Sequence, residues 1–170
     1  AIGEPRMVRA AFGFRDDGPI LFDPALGGGS LLDVGVYPIT LAALIFGSRP
    51  ERISGLAHLG RNGVDEQAAY TLGYTDGGLA LLASAIQTNT PYDAWICGTG
   101  GMIRLHAPFW APDTVSLICP EKDVEERHCP YLGNGYPHQA SEVMACLREG
   151  RRESPLMPLD TSLDIMRILD

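Results

Sequence analysis

Positive charge is what this sequence has least of. Thirteen lysines and arginines stand against 21 aspartates and glutamates, a formal net charge of −8. That balance repels phosphate backbones and anionic headgroups, so neither nucleic acid nor an anionic membrane is an expected partner. Long hydrophobic runs are also missing. The segment 31–46 comes nearest to the roughly 20 residues of a spanning helix, but it carries Asp33 and Pro38. No signal-peptide pattern opens the chain, which reads from Ala1 straight into a strand. With no initial methionine, it is expected to be a fragment or a processed piece. Cys97, Cys119, Cys129 and Cys146 show no close paired spacing, which favours reduced thiols and a cytoplasmic location over a disulfide framework. Cys119, His128 and Cys129 do not have the spacing of a zinc site, so no metal is expected. Internal repeats and low-complexity segments are absent, as is the βαβ alternation of a dinucleotide-binding fold.

What is present suits a globular domain. Hydrophobic residues make up 45% of the 170 and charged residues 20%, enough for one domain with a real core. Ile2 to Phe14 alternates loosely and reads as a strand. A loop rich in Asp, Gly and Pro follows. Strand patterns recur at Arg52 to Leu59, Gln67 to Tyr74, Leu79 to Gln87, Asp93 to Cys97 and Met102 to Leu105, with shorter ones at Val115 to Cys119 and Val124 to Arg127. Asp76-Gly77-Gly78 and Gly98 to Gly101 are hairpin turns. His138 to Arg148 predicts a helix with Ala140, Val143, Met144 and Leu147 on its packed side. Ser162 to Leu169 predicts a second, capped at Asp160 or Thr161. The order implies an α+β fold: an open, mainly antiparallel sheet with helices on one face. The alternating set Ala68, Tyr70 and Leu72 is expected to be covered in part by a partner.

Gly27 to Gly47, GGGSLLDVGVYPITLAALIFG, is the most informative stretch. It is apolar and of helical length, yet it holds Asp33 and Tyr37 four positions apart, one turn on a helix. A carboxylate there must be hydrogen-bonded or serve a site. Pro38 predicts a bend, or one helix ending near Tyr37 and another starting at Pro38. Gly47 is a natural stop. On pattern alone two readings stay open. Asp33 caps the helix and Tyr37 is a core residue, or the pair serves a site. The three glycines could approach a phosphate, but no βαβ strand precedes them, and close packing is the simpler role. His58, His106, His128 and His138 are scattered. Arg148, Arg151 and Arg152 suit a helix end and solvent.

The segment GGGSLLDVGVYPI and its helix ending in FG resemble the substrate-side domain of the glucose-fructose oxidoreductase and inositol dehydrogenase family. So do VRAAFGF (8–14), ISGLAHLGRNGVDE (53–66), GTGGMIRL (98–105), FWAP (109–112) and ACLREGRRESPLMPL (145–159), in the same order. Many members carry an aspartate and a histidine four apart; here Tyr37 stands in place of the histidine. The pattern runs furthest with the dimeric dihydrodiol dehydrogenase-like members.

The resemblance implies that residues 1–170 are the carboxy-terminal substrate-binding and dimerisation domain of a two-domain enzyme. The amino-terminal Rossmann domain, with its glycine-rich turn and catalytic lysine, lies outside this chain. The implied reaction moves a hydride between NAD or NADP, bound mainly by that other domain, and a hydroxyl-bearing carbon of a sugar or cyclic diol. Tyr37 would be the proton-transferring group, helped by a nearby cation because a free phenol has a pKa of about 10. Asp33 would position the substrate or the lysine. Phe12, Trp110 and Tyr131 would line the substrate pocket, although such aromatics also serve as plain core. A homodimer or larger assembly through the sheet face is implied as well. The competing possibility is a non-catalytic ligand-binding or dimerisation module on the same fold, and the isolated chain is expected to be inactive.

Overall fold

The computed structural model describes all 170 residues. The sheet has eight strands: β1 (Pro5–Gly13), β2 (Arg52–Leu59), β3 (Asp65–Gly73), β4 (Leu79–Ala85), β5 (Ala94–Gly98), β6 (Gly101–Leu105), β7 (Thr114–Ile118) and β8 (Glu125–His128). Their order is β2-β3-β4-β1-β5-β6-β7-β8. The strands expected from sequence are all present, with ends that differ by up to three residues. Two antiparallel meanders, β2 to β4 and β5 to β8, are joined by β1, which runs parallel to β4 and antiparallel to β5. Hairpin signals reveal the meanders but carry no information about where the first strand inserts.

Register decides which side chains share the covered face. Val8 pairs with Ala80 and Ile96, Ala10 with Leu82 and Ala94, and Phe12 with Ser84. Ala80, Leu82 and Ser84 pair in turn with Leu72, Tyr70 and Ala68. Helix α1 (Val36–Phe46) lies on this face and buries Pro38, Ile39, Ala42 and Ala43. Tyr70 and Leu72 are therefore buried under the chain's own helix, not under a partner. Alternation with period two marks one face as apolar but does not say what covers it. The opposite face is the uncovered one and presents Met7, Leu56, Leu79, Leu81 and Met102.

The break in the long helical stretch lies upstream of the position expected from Pro38. Leu31–Gly35 is a wide π turn, and α1 starts at Val36. Pro38 then falls in the first turn of α1, directly after the wide turn, so the missing proline N–H coincides with the irregularity in the helix. With the short 3₁₀ turns before it, the stretch Pro24–Phe46 is long and apolar enough to cross a membrane by composition. Here it is the helix around which the core is built.

Helix α2 (Tyr136–Arg148) corrects a second expectation. Ala140, Val143, Met144 and Leu147 are exposed, and the buried residue is Cys146. No strand packs under the expected stripe. Helix α3 (Leu159–Leu169) starts earlier than predicted. The Glu153 carboxylate accepts from the Leu159 N–H at 2.7 Å, so the cap comes from six residues upstream instead of from Asp160 or Thr161. The buried Asp164 ties α3 to the end of α1, accepting from Ser48 Oγ (2.8 Å), Arg49 Nε (2.7 Å) and Arg167 Nη1 (2.8 Å).

Candidate active site

Three elements bring aromatic rings together at one end of the covered face. Phe12 comes from the end of β1, Tyr37 from the first turn of α1, and Phe109 and Trp110 from the loop between β6 and β7. The Trp110 indole stacks on Phe12 with centroids 4.0 Å apart and planes at 15°. Tyr37 meets both edge-on, at 5.2 Å from Phe12 and 5.8 Å from Trp110. Such geometries match ring quadrupoles and fix the relative positions of the rings. Tyr92, before β5, packs edge-on to Phe12 and Trp110, and its carbonyl accepts from Phe109 N at 2.7 Å.

The cluster opens on a cleft of about 430 Å³ lined by Val36, Tyr37, Thr40, Leu41, Leu44, Phe109 and Trp110. Tyr37 keeps 40% of its surface and Trp110 37%, so neither is sealed in the core. The Tyr37 hydroxyl has no hydrogen-bond partner within the chain and remains free to meet a ligand.

Asp33 is exposed and makes no hydrogen bond to Tyr37 or to the backbone donors of the helix start. Partial burial pushes its carboxyl above the usual carboxylate range, and the like charge of Asp16 pushes in the same direction. The capping role belongs to Asp65, at the head of β3. Its Oδ2 accepts from Ser30 Oγ at 2.6 Å and from Leu31 N at 2.7 Å. Gly29, at φ +123°, leaves room for that carboxylate, and a Cβ there would collide with it. The triple glycine is thus a close-packing device with an acid against it and offers no phosphate cradle.

Of the expected site residues, the fold brings Phe12, Tyr37 and Trp110 together and places Asp33 one turn before Tyr37. Tyr131 stays apart, beside Gly135 in the loop before α2, and touches none of these rings. Tyr92, Phe109 and Asp65 were not singled out from sequence. Only the tertiary fold links them to the site. No three His, Cys, Asp or Glu side chains converge as metal ligands.

The fold thus sets an apolar helix carrying a free phenol beside an aromatic wall, on an open mixed sheet. The comparisons place it in a family: residues 1–104 match the GFO/IDH/MocA C-terminal domain, and the chain belongs to that family of oxidoreductases. It is 34% identical over 177 residues to a trans-1,2-dihydrobenzene-1,2-diol dehydrogenase of Xenopus tropicalis, covering 100% of this chain and 54% of that protein. In fold it is similar to the aldose-aldose oxidoreductase of Caulobacter crescentus complexed with glycerol (TM-score 0.86, 22% identity, 99% of this chain and 52% of that one). It is also similar to a 3-ketoreductase of Actinomadura kijaniata in complex with NADP and TDP-benzene (TM-score 0.80, 24% identity, 99% and 52%). The chain spans about half the length of the relatives it matches.

Proposed function

We propose that this domain forms the substrate side of a nicotinamide-dependent dehydrogenase acting on a cyclic diol or a sugar. The observation that carries this reading is the unpaired Tyr37 hydroxyl at the mouth of an aromatic cleft. The substrate ring lies against Trp110, with its reacting hydroxyl at Tyr37; Phe12, expected from sequence to line the pocket, instead backs the indole from behind. In oxidation Tyr37 accepts the hydroxyl proton; in reduction it returns it. NAD or NADP supplies the other half of the reaction by taking or giving the hydride. The A. kijaniata relative in complex with NADP and the dehydrogenases among the relatives support that cofactor class.

The triple glycine does not suit the phosphates of such a cofactor, because Asp65 closes it. The dinucleotide is therefore held mainly outside residues 1–170. The raised Asp33 carboxyl, facing the like charge of Asp16, supports a positively charged neighbour at the same place. A lysine from the cofactor-binding half would relieve that repulsion and stabilise negative charge on the Tyr37 oxygen during proton transfer. The exposed apolar stripes on α2 and α3, including Val143, Leu147, Leu163 and Met166, give that half surfaces to cover.

The uncovered sheet face, with Leu56, Leu81 and Met102, is the surface we assign to a second copy of the chain. The same face favours the second reading, a non-catalytic dimerisation module. Four unpaired cysteines support a reducing, cytoplasmic setting. The test is to incubate the full-length protein with NAD+ or NADP+ and either trans-1,2-dihydrobenzene-1,2-diol or an aldose. Reduced cofactor appearing with one of these substrates supports the dehydrogenase; none with any pairing favours the second reading.

A further inference from the structure

The wide turn Leu31–Gly35 is gripped from β3 at both ends. At its start Asp65 Oδ2 accepts from Ser30 Oγ and Leu31 N, and Ser30 Oγ is also 3.0 Å from Ser84 Oγ. At its end the Tyr70 hydroxyl donates to the Gly35 carbonyl at 3.2 Å. Ser30, Ser84 and Tyr70 are all buried. The two contacts satisfy backbone groups of the turn, the Leu31 N–H and the Gly35 carbonyl, that an apolar side chain would leave unpaired. A π turn occurs as a single-turn bulge in a helix, frequently at a functional site.

We propose, resting on the reading of Tyr37 as the proton-transferring group, that Asp65 and Tyr70 are positioning residues that hold this turn open. A π turn holds one residue more than an α turn, so closing it would rotate Asp33 by roughly 100° about the helix axis relative to Tyr37. The clamp sets the angle at which the acid and the phenol leave the helix. Neither clamp residue reaches the cleft. Both act through the backbone of Leu31–Gly35.

The test uses the full-length protein with trans-1,2-dihydrobenzene-1,2-diol and NADP+. Tyr70→Phe keeps the ring and removes one hydrogen bond; Asp65→Asn keeps the size and removes the charge. Ser84→Ala, which removes the hydroxyl facing both Ser30 and Tyr70, serves if Asp65→Asn does not fold. The expected result is a kcat at least about tenfold lower with the KM for NADP+ unchanged, since small misplacements of a reacting group cost this much or more. In a Tyr37→Phe background the same changes should cost nothing further, because they act through Tyr37. Crystal structures of the variants should show the turn closed towards α geometry. Normal kcat in the clamp variants alongside an inactive Tyr37→Phe overturns the clamp and leaves the function standing. Losses that add fully to those of Tyr37→Phe overturn it as well. If Tyr37→Phe is fully active, the functional reading falls and the turn decides: a π turn persisting in both variants removes the clamp too.

Discussion

Trp110 lies flat on Phe12, 4.0 Å between centroids, although 98 positions separate them in the chain. The stack holds an exposed indole beside the Tyr37 ring, so one wall of the cleft is rigid. Replacing Trp110 by Leu should raise the KM for a ring-shaped substrate about fivefold, in line with about 1 kcal/mol for an aromatic contact. The cofactor KM should not move. Steady-state kinetics on the full-length protein check this, and an unchanged substrate KM removes Trp110 from the pocket.

Burial pushes the Tyr74 hydroxyl up to about 12, and that of Tyr70 higher still. A phenol whose folded pKa lies above its unfolded value stabilises the fold fully below the unfolded value, about 10. That contribution is lost as the pH rises through the folded value. Tyr74→Phe and Tyr70→Phe should therefore leave the absorbance change at about 295 nm unaltered while the protein is folded. Both should make alkaline unfolding less steep above about pH 10. Loss of titration amplitude in the folded state would contradict the burial argument.

Asp164 gives the opposite pH signature. Hydrogen bonds from Arg49, Ser48 and Arg167, with the Arg49 charge, hold its carboxyl below the usual range. A depressed carboxylate stabilises the fold above its unfolded pKa, about 3.9, and loses that contribution as the pH falls through the folded value. Asp164→Asn should lower the Tm at neutral pH, and the gap to the wild type should close on acidification. A gap that stays constant with pH would show that the charge is not what matters.

Leu81 sits mid-strand on the uncovered face, and Leu56, two strands away on the same face, is 85% exposed. Leu81→Arg should shift the sedimentation of the protein towards the monomer, because an unpaired charge in an apolar interface is costly. A wild-type protein that is already a clean monomer at high concentration would dispose of the interface.

Much of the fold was legible in the sequence because period-two strands and glycine turns are local signals. The meanders around Tyr70 to Leu82 and Trp95 to Arg104 follow from them directly. What covers each face was not legible: Tyr70 and Leu72 carry the same alternation whether a helix or a partner lies on top. The stripe Val143, Met144 and Leu147 has the right spacing for a packed face and is nonetheless exposed in this chain. Phe12, Tyr37 and Trp110 were joined before the structure only through family resemblance, because no local pattern links them. Asp65 meets Ser30 from 35 positions away, beyond the reach of any capping rule, and so the acid named as a possible cap was Asp33.

The most direct test is the turnover of the full-length protein with Tyr37→Phe, measured with trans-1,2-dihydrobenzene-1,2-diol and NADP+ alongside its Tm. The hydroxyl makes no hydrogen bond inside the domain, so its removal should leave the Tm unchanged. The kcat should fall by about 10²- to 10⁴-fold, the range for losing a general acid–base group. A variant that turns over like the wild type would contradict the assignment of the proton-transferring role to Tyr37.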